Sequence, residues 1–273
     1  MKQRIISGAI VAIVTLTTVL VGGYLLNTVL GFIIAWCCYE AINVRKNKLN
    51  FILYIIMALT CASIWLIPKF SINALLFELL ALLTYAVFTK KENLYDISYV
   101  FIMSALIGYS IYYIDYIHGF SKWLLGYVIL ISYLTDVFAY FTGSYFGKHK
   151  LLERVSPKKT IEGAIGGWFG GFVVSVIWAL IFKWFYMDFR VILTTSFLLP
   201  IISQIGDLVF SMIKRYFIVK DFSNLIPGHG GLLDRLDSLL FCIIFFGAFI
   251  SILAWEQLFW WVPLVLLANR LLM

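Results

Sequence analysis

The sequence predicts an all-α, polytopic integral membrane helix bundle of about nine transmembrane helices, with the N-terminus in the cytoplasm. Three observations carry this. The chain is 63% hydrophobic and only 13% charged, with a mean hydropathy of +0.97, where a soluble domain is roughly 45–50% apolar. Its apolar runs are continuous and approach the ~20 residues that cross a bilayer as a helix, without the alternation a barrel needs. Sixteen of the 21 Lys and Arg residues fall on one side of the membrane when those runs are threaded through it, the asymmetry of cytoplasmic loops.

Taken in order, Lys2 and Arg4 precede a first run at about 5–21. A signal peptide opens the same way, but the polytopic pattern that follows favours an uncleaved span. The second run, 24–41, is separated from the first only by Gly22 and Gly23, so one long helix competes with two short ones. Further runs lie at about 51–67, 71–88, 98–114, 123–142, 163–184, 191–213 and 236–257. Charge decides the first ambiguity. With nine spans, Lys2, Arg4, Arg45, Lys46, Lys48, Lys90, Lys91, Lys148, Lys150, Arg154, Lys158, Lys159, Lys214, Arg215, Lys220 and Arg235 share one side. Only Lys69, Lys122, Lys183, Arg190 and Arg270 face the other. Merging the first two runs would set Lys2 and Arg4 against the other basic loops. The last run, 258–273, is short and holds Trp260, Trp261, Pro263 and Arg270, which suit an interface better than a tenth span.

The whole chain, 1–273, reads as a single transmembrane domain, with weak functional signal over 1–122 and the polar residues over 123–273. The net charge of +7 reports topology and not nucleic-acid binding. Cys37, Cys38, Cys61 and Cys242 lie in apolar runs without metal-binding spacing and read as small core residues. Glu40, Glu78, Glu92, Asp96, Asp115, Glu153, Asp188 and Glu256 sit mostly at span ends, where solvation is easy. No P-loop, dinucleotide fingerprint or HExxH motif is present, and no internal repeat.

One segment breaks the apolar pattern. Residues 211–237, SMIKRYFIVKDFSNLIPGHGGLLDRLD, are densely charged between two spans. An ionised group at the bilayer centre costs about 2.5–3.5 kcal/mol even on the lenient insertion scale, so this segment belongs in a wet, protein-walled site. Asp207, Ser211, Lys214 and Arg215 are spaced i, i+4, i+7 and i+8, one face of a helix. Asp234 and Asp237 share a face at i and i+3. Pro227, Gly228, Gly230 and Gly231 permit a tight backbone path between them. Three acids with several fixed cations suit a phosphate-and-metal site, with carboxylates selecting a hard ion such as Mg²⁺ and Lys and Arg neutralising phosphate. His229 is read either as a phosphate contact or as a packing residue.

A second cluster lies on the same expected face of the membrane. Asp136 sits near the end of span six, and the following loop holds Lys148, Lys150, Arg154, Ser156, Pro157, Lys158, Lys159, Thr160 and Glu162. The bland reading is a basic loop drawn to anionic head groups. The sharper one is a nucleotide- or phosphate-binding loop, because Ser or Thr before a Gly-rich helix start offers donors to phosphate.

At these residues the sequence resembles the phosphatidate cytidylyltransferases, also called CDP-diacylglycerol synthases. Ser211, Lys214-Arg215, Lys220-Asp221, Ser223, Pro227, His229-Gly230-Gly231, Asp234-Arg235 and Asp237 reproduce that family's signature without departure. Asp136, Ala139-Tyr140 and Ser156-Pro157-Lys158-Lys159-Thr160 also look like the family, whereas before about residue 130 the likeness is only hydropathic. The resemblance implies the reaction of CTP with phosphatidic acid to give CDP-diacylglycerol and pyrophosphate. It also implies dependence on Mg²⁺ with K⁺ as a candidate second cation, a homodimer, and a multi-pass protein of a bacterial plasma (inner) membrane whose active site faces the cytoplasm. The expected catalytic residues are Asp207, Lys214, Arg215, Asp234 and Asp237; Asp207, Asp234 and Asp237 would also hold metal. The expected substrate and phosphate contacts are Ser156, Lys158, Lys159, Thr160, Ser211, Lys220, His229 and Arg235.

Two other classes compete. A transporter or channel for an anionic phosphate-bearing metabolite would use the same residues, but would continue polar positions across the bilayer. Here they concentrate near one side. A different lipid-phosphate transferase is the other, although DRLD lacks the longer acid repeat of CDP-alcohol transferases.

Overall fold

The computed structural model describes residues 2–45, 50–89, 92–182, 189–225 and 230–255. Among them, nine α-helices follow in order: α1 (Lys2–Val21), α2 (Gly23–Asn43), α3 (Phe51–Leu66), α4 (Ser71–Phe88), α5 (Leu94–Phe120), α6 (Lys122–Phe146), α7 (Ile161–Ile181), α8 (Phe189–Tyr216) and α9 (Leu233–Trp255). Each falls on one of the nine apolar runs. Seven of the described helices are long and apolar enough to cross a membrane, α4 together with the 3₁₀ turn Pro68–Phe70 before it. The two others are shorter: the apolar part of α1 is Ile10–Val21, and α3 has 16 residues. At ~1.5 Å per residue α3 is about 24 Å long, against a hydrocarbon core of about 30 Å.

The boundaries have local causes. Gly22 (φ +65°) and Gly23 (φ +54°) both adopt the left-handed region, which is costly for any residue with a Cβ, so α1 and α2 are two helices and not one. Side chains start three others. Asn50 Oδ1 accepts from the Ile52 and Leu53 amides at α3 (3.2 and 3.5 Å), Ser121 Oγ from Trp123 N at α6 (3.3 Å), and Thr160 Oγ1 from Gly163 N at α7 (3.1 Å). The basic loop before α7 is more ordered than its composition suggests. It forms an antiparallel hairpin of β1 (Lys150–Leu152) and β2 (Ser156–Thr160), with Lys150 opposite Thr160, Leu152 opposite Ser156 and an irregularity between. Ser-Pro-Lys-Lys-Thr is therefore a strand that leads directly into α7.

The chain divides into two compact units, each discontinuous in sequence. The first comprises Met1–Asp115 and Ile213–Leu236. In its core Leu53, Met57, Cys61 and Ile64 of α3 are buried, as are Val100, Met103 and Ile107 of α5. Gly108 makes that approach possible, since a Cβ there would lie 2.8 Å from Ile64 Cδ1 and 3.3 Å from Cys61 Cα. All four cysteines of the chain are buried free thiols, as expected of small core residues. Several of the acids read as solvated span-end groups differ from that reading, and Glu78 lies in the middle of α4. Glu40 is 0% and Glu78 2% exposed. Glu78 accepts the Ser104 hydroxyl, and Arg45 pairs with Glu92 and with Asp96 at 3.1 Å. Hydrogen-bonding partners offset part of the cost of burying these acids, while Glu78 Oε2 is buried without one among the described residues.

The second unit comprises Tyr116–Met212 and Asp237–Met273. Its α6 and α7 meet along a glycine seam. Gly163, Gly167 and Gly171 recur every four residues on α7, where a Cβ at Gly163 would be 2.8 Å from Ala139 O and one at Gly167 2.7 Å from Ala139 Cβ. Small residues at this spacing let two backbones approach closely where lipid provides no hydrophobic drive. Buried hydroxyls reinforce the packing: Tyr127 Oη lies 2.7 Å from Ser196 Oγ and 3.1 Å from Thr195 Oγ1.

Candidate active site

In the second unit the chemistry-bearing residues surround a cavity of about 330 Å³, within the usual range for a small-molecule site. Four elements contribute. Asp136, Ala139, Tyr140, Gly143 and Ser144 come from α6; Leu151, Lys158, Lys159 and Thr160 from the hairpin; Gly163 and Ala164 from α7; Gln204 and Asp207 from α8. The glycine seam is what allows the hairpin and the start of α7 to close so tightly on α6. Gly143 and Gly163 each leave 2.9 Å between an added Cβ and Thr160 Oγ1, so any side chain there would collide with the cap.

The charges in this cavity are balanced. Lys159 Nζ pairs with Asp207 Oδ2, and Ser211 Oγ, one turn on, donates to Asp207 Oδ1 at 3.2 Å. Asp136 is held by a relay: Ser132 Oγ donates to Ser238 Oγ (3.1 Å), which donates to Asp136 Oδ2 (3.0 Å). Lys158 is exposed and lines the opening. Glu162 pins the hairpin's start by accepting the Lys148 and His149 amides at 3.1 and 3.2 Å. Asp136 and Asp207 thus present two carboxylates to a space also lined by two lysines. Such a space suits a polyanion accompanied by a hard cation.

The first unit holds a different arrangement, around the connection from α8 to α9. The helix α8 ends with Val219 N donating to Lys214 O (2.9 Å) and Ile218 N to Arg215 O (3.0 Å), a Schellman closure. It forces Ile218 to φ +56°. Lys214 Nζ then donates to Asp234 Oδ1 at 2.7 Å, while the amides of Phe222 (2.8 Å) and Gly231 (2.9 Å) both donate to Asp234 Oδ2. Both members of the ion pair are buried, with side chains 10% and 2% exposed. A Cβ at Gly230 (φ +83°) would lie 2.9 Å from Asp234 Oδ2, which accounts for glycine at that position.

Of the expected residues, the structure brings Lys158, Lys159, Thr160 and Asp207 to one cavity, with Ser211 against Asp207. It brings Lys214 and Asp234 together as a buried pair. Ser156 is half-buried at the start of β2. Arg215 and Lys220 are exposed, Arg215 donating to Val219 O at 3.2 Å. Arg235 is half-buried in the first turn of α9; Asp237 is buried, with Oδ1 accepting the Ser238 amide at 2.9 Å. His229 lies outside the described residues. Among the described residues, no three Asp, Glu, His or Cys side chains are grouped as metal ligands. Sequence reasoning passed over Gln204, whose amide donates to Ala164 O at 3.1 Å in the cavity wall, and read Glu40, which is buried, as a solvated acid at a span end. The only sequence signal for either was a polar residue inside an apolar run.

Comparison with known proteins gives this geometry a context. A sequence model of the cytidylyltransferase family matches residues 2–253. Phosphatidate cytidylyltransferases of Staphylococcus haemolyticus and Staphylococcus aureus are 38% identical over 162 residues, covering 59% of this chain and 62% of theirs. The Bacillus subtilis protein of the same name is 37% identical over 167 residues, 60% of this chain and 62% of that one. The chain therefore spans a little under two thirds of the length of these relatives. The family match is broader, running from α1 to near the end of α9 and taking in the cavity and the Lys214–Asp234 connection alike. A match of that extent makes this chain a member of the cytidylyltransferase family.

Proposed function

We propose that this protein transfers the cytidylyl group of CTP to phosphatidic acid, forming CDP-diacylglycerol and pyrophosphate, with its active site at the cytoplasmic face of a bacterial plasma membrane. The observation that carries the reading is the second unit's cavity, where Lys158, Lys159, Thr160, Asp136 and Asp207 share one opening in a chain of the cytidylyltransferase family. The names of the relatives support the lipid substrate.

The chemistry asks little of a general base. An anionic phosphate oxygen of the lipid attacks the α-phosphorus of CTP; the α–β bridging bond breaks and pyrophosphate leaves with its electron pair. The difficulty is to bring one polyanion against another. Positioning and charge, more than covalent chemistry, lower that barrier. Lys158 would meet phosphate at the opening, and Lys159 would turn from Asp207 to phosphate as substrate enters. Thr160, committed to the α7 cap through Gly163 N, sets the direction of the strand that carries both lysines.

The acids fit a hard cation. Mg²⁺ is ordinarily held by one or two carboxylates together with substrate phosphates, so three converging acids are not required. Asp207 would hold it, with Asp136 in the same cavity and Asp237 at the approach of α9 to α8, where a Cβ on Gly206 would lie 3.0 Å from Asp237 O. When bound, the ion would neutralise charge between the reacting phosphates. For Asp234 a metal role requires Lys214 to give up Oδ1. K⁺ as a second cation, a homodimer, nine spans and a cytoplasmic N-terminus belong to the same proposal, supported by the family resemblance and the distribution of basic residues.

Purified protein in detergent micelles, given radiolabelled CTP, phosphatidic acid and Mg²⁺, should yield lipid-soluble label with equimolar pyrophosphate. Label that depends on another lipid phosphate would replace the acceptor. Absence of transfer, with phosphate-metabolite uptake in proteoliposomes, would replace the enzyme by a transporter.

A further inference from the structure

Glu40, near the C-terminal end of α2, is 0% exposed, yet its carboxylate accepts four hydrogen bonds from described residues. Trp36 Nε1 (2.9 Å), Ser223 Oγ (2.6 Å) and Leu232 N (2.9 Å) donate to its Oε1; Leu233 N donates to Oε2 at 2.8 Å. Two of these donors are the amides that open α9, which lacks a local side-chain cap because Leu232 precedes it. The first amides of a helix need an acceptor and attract negative charge. Here that acceptor comes from about 190 residues earlier in the chain.

From these contacts we infer that Glu40 is a positioning residue, which fixes the α8–α9 connection and thereby sets the place of Asp234 and Lys214. The inference rests on the proposed reaction for its kinetic consequence, but not for its structural one. Glu40 and Asp234 form a double clamp. Asp234 joins Phe222 N to Gly231 N; Glu40 joins the adjacent Ser223 hydroxyl to the adjacent Leu232 and Leu233 amides. Three successive amides, Gly231 to Leu233, are thus taken by two carboxylates from different helices. The fit is close: a Cβ on Gly231 would lie 2.7 Å from both Glu40 oxygens. The second glycine of the Gly230-Gly231 pair is therefore required by a residue outside the motif.

Charge matters as well as shape. A carboxylate accepts at both oxygens, whereas an amide replaces one oxygen with a donor. In Glu40→Gln, either Leu233 N or the three donors on Oε1 would face an NH₂ group. Glu40→Asp keeps both acceptors but is one methylene short.

The test compares hydrogen exchange and steady-state kinetics of the full-length wild type, Glu40→Gln and Glu40→Asp in the same detergent. In Glu40→Gln, exchange across 222–225 and 231–233 should rise at least about tenfold, the loss expected for a hydrogen bond to a charged group, while α3 and α4 keep wild-type protection. The value of kcat should fall by about tenfold or more, with KM for CTP within about threefold, and Glu40→Asp should recover part of both. Ser223→Ala removes one donor from the same carboxylate and should raise exchange at 231–233 by a smaller factor, which keeps the test open if Glu40→Gln does not fold. Unchanged exchange at the connection, or an equal rise throughout the first unit, overturns the inference. If the wild type transfers no cytidylyl group, the proposed reaction fails while the exchange comparison still decides the clamp.

Discussion

Asp207 and Asp234 are the same chemical group in two different settings. Asp207 lines the second unit's cavity, 22% exposed, and its cation Lys159 is 27% exposed. Asp234 is 2% exposed and its oxygens accept Lys214 Nζ and two backbone amides. A half-open ion pair exchanges partners at little cost, because water and incoming ions replace what is lost. A buried one does not, because each displaced donor stays unsatisfied. Acids that read alike in the sequence therefore divide into one suited to exchanging cations with substrate and one suited to holding backbone in place.

The largest effects expected test this division directly. Asp207→Asn should lower kcat by about 100- to 1000-fold, the scale of losing a group aimed at developing charge, and raise the Mg²⁺ concentration needed. Its thermal midpoint in detergent should stay close to wild type, since a partly exposed pair is worth about 1 kcal/mol or less. Asp234→Asn should do the opposite in order of severity: a stability loss of about 3–5 kcal/mol from removing one charge of a buried pair, with activity falling as the connection loosens. Equal destabilisation by the two substitutions, measured by thermal unfolding, would erase the distinction.

What was legible in the sequence follows the range of each interaction. The nine helices could be placed because burial in lipid imposes continuous apolar runs, and Gly22-Gly23 mark a break that only glycine makes easily. The polar segment 211–237 stood out because charge is costly in such a chain. Glu40 did not, since its partners other than Trp36 lie 183 to 193 residues away and its position reads as an ordinary helix end. The hairpin was hidden by a strand of Ser, Pro, Lys and Thr, whose order comes from Glu162 on the Lys148 and His149 amides and from Lys150 Nζ on Pro157 O at 2.7 Å. The four-residue spacing of Gly163, Gly167 and Gly171 went unread, because only the structure shows which helix these glycines meet.

Lysines sharpen the comparison at a smaller scale. Lys158 lines the cavity opening, whereas Lys220 is exposed on the connection of the first unit. Lys158→Ala should raise KM for CTP by about three- to tenfold, the loss of one charge-assisted contact to phosphate at a wet surface. The increase should shrink as salt is added, because exposed charges are screened. Lys220→Ala should stay within about twofold. A larger effect at Lys220 would move substrate phosphate toward the first unit's connection.

The smallest effect concerns strain. Ile218 is β-branched, 81% exposed, and held at φ +56° by the Schellman closure of α8. Left-handed backbone costs an ordinary L-residue about 1–2 kcal/mol, and such strain persists only where surrounding contacts over-determine it. Here those contacts are Lys214 on Asp234 and the two carboxylates gripping the far side of the connection. Ile218→Asn introduces a residue that tolerates this conformation and removes almost no buried surface. It should stabilise the protein by up to about 1 kcal/mol without changing kcat. In the Glu40→Gln background the gain should disappear, because a released connection no longer holds residue 218 in the strained region. Equal stabilisation in both backgrounds, read by thermal unfolding, would mean that α8 closes independently of the clamp.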